Sequence, residues 1–174
     1  MSHAQQHNFC QRVMDEIWRN NHALPLSVLD AGSQDVNGNS RFLFPGYDYT
    51  GVDVAAGKNV DIVCDVGLLK LPPFDIVIST EMLEHDARWV RSITNMCRLL
   101  KPGGLMILTC AGPGRQEHGT LATSPGDCPG LNTLHYRNLS HEDLWLALRT
   151  EAWSLYGFEC DPGLGDTRFW GIKK

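Results

Sequence analysis

The chain has 174 residues, enough for one domain, and its 43% of hydrophobic residues is a globular composition that excludes a disordered or fibrous chain. A formal net charge of −5, with no run of Lys or Arg, argues against nucleic acid as a partner, because phosphate-backbone binding leans on clustered cations. The stretch from Met1 to Asn8 has no apolar signal-peptide core and no segment reaches membrane-spanning length, so a cytoplasmic protein without membrane contact is expected.

Phe9, Val13 and Ile17 recur every fourth residue with Cys10, Met14 and Trp18 beside them, which predicts an amphipathic helix. Asn20, Asn21 and Pro25 are expected to end it. Leu26–Asp30, Tyr49–Val54, Val60–Asp65 and Phe74–Ser79 are short apolar runs that predict four strands, and several lack polar alternation, as buried parallel strands do. Asp86 is placed to cap a helix that turns Trp89, Val90, Ile93, Met96, Cys97 and Leu100 toward the sheet, with Lys101-Pro102-Gly103-Gly104 as its stop. Leu105–Cys110 is the fifth strand. Ala111 to Asn138, rich in Gly, Pro, Ser and Thr, is too long for an ordinary connection and is read as a lid or binding loop. Ser140 should cap a helix running to about Trp153, and Tyr156–Cys160 and Arg168–Lys173 are two closing strands. Alternation of elements predicts an α/β, doubly wound sheet, with only short connections around the third strand. No repeat or linker divides residues 1–174, so a single domain is expected. None of the six cysteines has C-x-x-C spacing, which favours buried thiols in a reducing compartment.

Chemistry concentrates at strand ends. Val28-Leu29-Asp30-Ala31-Gly32 runs from an apolar strand into a glycine turn, at the sheet edge where open α/β folds bind ligands. Gly32 lets backbone approach a ligand, and Asp30 suits a cationic amino-acid group better than a pyrophosphate. G-x-G-x-x-G is absent, which sets aside a dinucleotide site. Asp53 ends the second strand and can accept from two ribose hydroxyls. Asp65 ends the third, with the Val66 backbone beside it, and suits an adenine amino group. Thr80 and Glu81 follow the fourth. Polar or acidic residues thus close four successive apolar runs.

With these residues in place, the sequence resembles the class I methyltransferases that use S-adenosylmethionine (SAM), and in particular their small type 11 group. The resemblance is carried by Val-Leu-Asp-Ala-Gly (28–32), Gly-Val-Asp (51–53), Asp65, Phe-Asp-Ile-Val-Ile-Ser-Thr-Glu-Met-Leu-Glu-His (74–85), Leu-Leu-Lys-Pro-Gly-Gly (99–104) and His135-Tyr136-Arg137. It implies a Rossmann-like seven-stranded sheet, its last strand antiparallel, with helices on both faces. It also implies SAM as cofactor and S-adenosylhomocysteine (SAH) as product. Asp30 and Gly32 would hold the methionine end, Asp53 the ribose, and Asp65 with Val66 the adenine, while Thr80 and Glu81 would face cofactor and substrate. One departure is Gln34, where the family usually has a second glycine.

The expected acceptor is an O or N atom of a small molecule. Leu71-Pro72-Pro73-Phe74 precedes the fourth strand rather than following it, so it is read as a turn and not as an amino-methylating motif. Removing the acceptor's proton suits a histidine near neutral pH, and His85 and His135 are the candidates, with His118 a weaker third. Glu81, Glu84 and His85 form E-x-x-E-H, which with His135 has the donors for Mg²⁺ or Mn²⁺. Structural roles, namely pocket lining by Glu81 and capping by Glu84, compete with that reading, and no metal is included in the expected site. Two other functions fit the same fold: a non-catalytic SAM-binding scaffold and a metal-dependent RNA 2′-O-methyltransferase. The acceptor pocket would come from the first helix, the 111–138 loop, or a second subunit in a homodimer.

Overall fold

A computed structural model describes residues 4–19, 26–131, 133–161, 163 and 165–174. Seven strands form one sheet: β1 (Ser27–Ala31), β2 (Asp48–Asp53), β3 (Ile62–Val63), β4 (Phe74–Thr80), β5 (Leu100–Ala111), β6 (Trp153–Cys160) and β7 (Asp166–Lys173). Their order is β3-β2-β1-β4-β5-β7-β6. β1 pairs parallel with β2 and β4, β3 with β2, and β5 with β4, whereas β7 runs antiparallel to both β5 and β6. The winding reverses between β1 and β4, so a crevice opens at their C-terminal ends.

Side chains alternate across this sheet, and both faces are covered. Val28, Ile76, Ile78, Leu105 and Ile107 point to one side, where helix α1 (Ala4–Val13) packs Phe9, Cys10 and Val13. A π-helical turn, Met14–Trp18, continues α1 and adds Met14 and Trp18 to the same core. Leu29, Val77, Met106 and Leu108 point to the other side, against Ile93, Met96 and Cys97 of α2 (Trp89–Arg98) and Leu144 and Leu148 of α3 (His141–Leu148). Burial on two faces is why these strands read as apolar runs rather than alternating ones. Among the described residues, no helix is long and apolar enough to cross a membrane.

Several local expectations hold and others are corrected. Ser140 caps α3 with a reciprocal box: its hydroxyl accepts from the Asp143 N–H, and the Asp143 carboxylate accepts from the Ser140 N–H. α3 stops at Leu148, because Trp153 already belongs to β6. Asp86 does not cap α2. The helix starts behind Arg88, and the Asp86 carboxylate accepts from the Arg88 N–H and the Ser92 hydroxyl instead. Val90 is exposed on the outer side of α2, and Leu100 opens β5 opposite Phe74. The Lys101–Gly104 stretch forms an irregularity at the start of β5, where pairing with β4 breaks between Phe74 and Ile76. β3 is shorter than its apolar run because it is an edge strand with one neighbour and an exposed Val63. Asn20, Asn21 and Pro25 lie outside the described residues. All six cysteines are free thiols, and Cys160 departs from the expected burial by lying exposed. Near the C-terminus Phe169 is fully buried in the core, and partly buried Trp153 and Trp145 pack against that core, Trp153 edge-on to Phe169 and Trp145 stacked on exposed Tyr156.

Candidate active site

At the crevice lies a cavity of about 610 Å³, within the range of small-molecule sites. Asp30, Gly32, Asp53, Asp65, Val66, Thr80, Glu81, His85 and His135 all line it.

Gly32 leaves β1 with φ +81°, and its N–H donates to the Val52 carbonyl at 2.8 Å. A Cβ there would sit 2.5 Å from the Met82 Cβ, so both conformation and space demand glycine. Gln34 needs no such freedom: among the described residues, the non-glycine ones with positive φ are Asn59 and Glu81. The Gln34 N–H instead donates to Asp53 Oδ2 (3.2 Å), and its side-chain amide donates to the Ala56 carbonyl (3.3 Å).

The carboxylates differ in environment. Asp30 is buried, with Oδ2 accepting from the Tyr49 hydroxyl and Oδ1 lacking a hydrogen-bond partner. Burial pushes its carboxyl up from 3.8 to about 7, against the opposing effect of the Tyr49 bond. Burial also raises Asp53, although the Gln34 and Ala55 N–H groups favour its charged form. Asp65 caps the turn Val66–Leu68 by accepting from the Gly67 N–H at 2.8 Å, and its other oxygen meets Arg88 and Arg91.

Glu81 follows β4 with φ +55°, a left-handed conformation uncommon for a side-chain-bearing residue. It is held there by its N–H donating to the Thr109 carbonyl (2.9 Å), by the Thr109 hydroxyl donating to Oε1 (3.1 Å), and by Arg115 at 3.3 Å from Oε2. Arg115 also pairs with buried Asp166. E-x-x-E-H therefore does not act as one ligand set: Glu81 turns to Arg115, while Glu84 and His85 converge with His118. The His85, His118 and Tyr136 rings meet edge-on with centroids 5.1–5.5 Å apart. Burial lowers His85 to about 3 and also lowers His118, so both are neutral near pH 7. The 112–138 loop closes this side, with the Arg137 N–H donating to the Glu84 carbonyl at 2.9 Å. His135 carries a buried Nε2 without a hydrogen-bond partner.

Tyr49, Arg115 and the arginines on Asp65 were not legible as site residues. Tyr49 lies within an apolar run, and Arg115 carries no local signal beyond being a cation in a glycine-rich loop.

Residues 29–108 match the family model described as a methyltransferase domain. No curated protein matches the chain in sequence. Among solved structures, the chain is similar to the 1,6-didemethyltoxoflavin-N1-methyltransferase of Burkholderia thailandensis, crystallised with 1,6-didemethyltoxoflavin and SAH. That match has 16% identity and a TM-score of 0.61, and covers 98% of this chain and 87% of the other. It is also similar to magnesium protoporphyrin IX methyltransferase (ChlM) from Synechocystis PCC 6803 with bound SAM, at 16% identity and TM-score 0.66, over 98% and 79% of the two chains. The CurJ carbon methyltransferase matches at 14% identity and TM-score 0.67, over 96% of this chain and 54% of that one. At such identities the likeness is one of fold, and the family model identifies residues 29–108 as similar to a methyltransferase domain.

Proposed function

We propose that this chain transfers a methyl group from SAM to an O or N atom of a small-molecule acceptor, leaving SAH. The observation that carries the reading is the crevice itself, where four strand ends bring carboxylates around one cavity and a buried Asp30 oxygen lacks a partner. An ammonium group beside Oδ1 would satisfy that oxygen with a charge-assisted bond. Gly32 keeps the turn free of a Cβ, Asp53 has the acceptors for two ribose hydroxyls, and Asp65 with Val66 borders the adenine end. Thr80 and Glu81 form the floor toward the acceptor.

When bound, SAM supplies a methyl group on a cationic sulfur. The chain's part is to align an acceptor lone pair with the methyl–sulfur bond, which is chiefly a matter of positioning. As the new bond forms, the methyl–sulfur electron pair stays on sulfur and the acceptor proton must leave. We assign that proton to His135, which lines the cavity and carries a buried nitrogen without a hydrogen-bond partner. His85, held neutral, serves as a hydrogen-bonding wall. By their names the neighbours methylate 1,6-didemethyltoxoflavin at N1, magnesium protoporphyrin IX and carbon. Assignment to O or N therefore rests on His135 and not on them. Residues 1–174 are read as one domain, since a single sheet takes strands from Ser27 to Lys173. The free thiols accord with a cytoplasmic setting.

Calorimetric titration of SAH into wild type and Asp53→Ala tests the cofactor site. Saturable one-to-one binding, weakened about 100-fold in the variant, is expected, since two bonds to a charged acceptor contribute about 1.5 kcal/mol or more each. A well-folded wild type that binds no SAH overturns the reading.

A further inference from the structure

Behind the cavity wall, three donors converge without being satisfied by one another. Glu84 is fully buried, and among the described residues neither of its carboxylate oxygens has a hydrogen-bond partner. His85 Nδ1 and His118 Nε2 are likewise buried without partners. One ligand atom from each of the three residues lies within 4.8 Å of the others, and His118 Nε2 is 3.8 Å from Glu84 Oε1.

The protonation pattern sharpens the point. His118 Nδ1 lies 3.1 Å from the Gln116 carbonyl, an atom that can only accept, so Nδ1 carries the proton of the neutral ring. The Tyr136 hydroxyl donates to the same carbonyl at 3.1 Å and lies 3.2 Å from that nitrogen. His118 is thus fixed from outside with the lone pair of Nε2 turned toward a buried carboxylate. Burial raises the Glu84 carboxyl to about 8, and the two facing acceptors repel unless a proton or a metal cation lies between them. An outer hydrogen bond that orients the ring and selects its tautomer is the support a metal-bound imidazole receives.

We propose that Glu84, His85 and His118 form a site for one divalent transition-metal ion, of the zinc or cobalt type, that ties the 112–138 loop to the end of β4. Two imidazoles and a carboxylate suit these ions, with a further coordination position left open. Mg²⁺ and Ca²⁺ prefer all-oxygen sets, and Glu81, which would supply more oxygen, is engaged by Thr109 and Arg115. Tetrahedral zinc holds N and O donors about 3.4 Å apart, so rotations of around an ångström complete the site. With His85 on the metal, His135 is left as the base.

The test uses the full chain, stripped with chelator, in a Cys160→Ser background. That exposed thiol lies 3.2 Å from His141 Nε2 and offers a rival place for a soft metal. Cobalt(II) is titrated without SAM or SAH, so the outcome does not depend on the cofactor reading. One equivalent should bind with the visible bands of low-coordinate cobalt, be displaced by Zn²⁺, and resist excess Mg²⁺. His118→Ala, a loop substitution checked for an unchanged circular dichroism spectrum, and Glu84→Gln should each weaken binding about 100-fold. Proteolysis within the 112–138 loop should slow at least about tenfold when metal is bound. The proposal is overturned if wild type gives no cobalt spectrum, if the spectrum survives both substitutions, if Mg²⁺ competes as well as Zn²⁺, or if loop cleavage ignores the metal.

Discussion

Replacing Asp30 by Asn should stabilise the free protein at alkaline pH and weaken its hold on cofactor. Burial raises this carboxyl from 3.8 to about 7, so between about pH 4 and pH 7 the folded chain binds more protons at Asp30 than the unfolded chain does. Its contribution to stability is present below that window, falls as pH rises through it, and is level above it. A shift of roughly 3 units at about 1.4 kcal/mol each makes the charged Asp30 cost the fold about 4 kcal/mol at pH 8. Asn keeps the shape and an acceptor for the Tyr49 hydroxyl without the charge. Urea unfolding at pH 8 should therefore show a gain of about 2–4 kcal/mol for the variant, shrinking to near zero at pH 4. SAH affinity at pH 8 should fall at least about tenfold, as expected for loss of a charge-assisted bond to the ammonium group. A variant that is less stable than wild type at pH 8, or that binds SAH equally well, refutes the reasoning.

Gly32→Ala should lose about 3 kcal/mol in urea unfolding and all measurable SAH binding, because φ +81° and the 2.5 Å approach to Met82 both oppose a side chain. Gln34→Gly should leave SAH affinity within about threefold by calorimetry, since the backbone there already adopts the turn and its N–H already reaches Asp53. Arg115→Met removes the cation shared by two buried carboxylates, Glu81 and Asp166, leaving Asp166 with Arg168 and Glu81 with the Thr109 hydroxyl. It should cost about 3 kcal/mol and lower Tm by roughly 10 °C in a thermal melt. Once an acceptor is in hand, His135→Asn should reduce kcat at least about 100-fold while SAH titrations stay unchanged.

The strands were legible because the sheet buries both faces: Val28 and Leu29 pack on opposite sides, yet both must be apolar. The strand-end residues were legible for a related reason. A carboxylate such as Asp30 or Asp53 directly after an apolar run has few structural reasons to be there. What pairs with them was not legible. Tyr49 reads as one more apolar residue of β2, and only the register of β2 beside β1 brings its hydroxyl to Asp30. Arg115 and His118 come from a loop whose path no periodicity fixes, so the division of E-x-x-E-H between Arg115 and a histidine cluster emerges only in three dimensions. At α2, Asp86 is a good cap by residue type but sits too far ahead of the first helical residue, Trp89.

The antiparallel placement of β7 between β5 and β6 also bears on how the chain assembles. β1 to β5 can zip up in the order in which they are synthesised, so the half of the sheet that frames the crevice is available early. β5 and β6 have no partner on their facing edges until Asp166–Lys173 arrives between them. A nascent or truncated chain lacking that segment would present two open edges, the kind of surface that pairs with other chains. Aggregation of forms cut before β7 would then be a failure of edge protection, with the crevice half of the sheet already built.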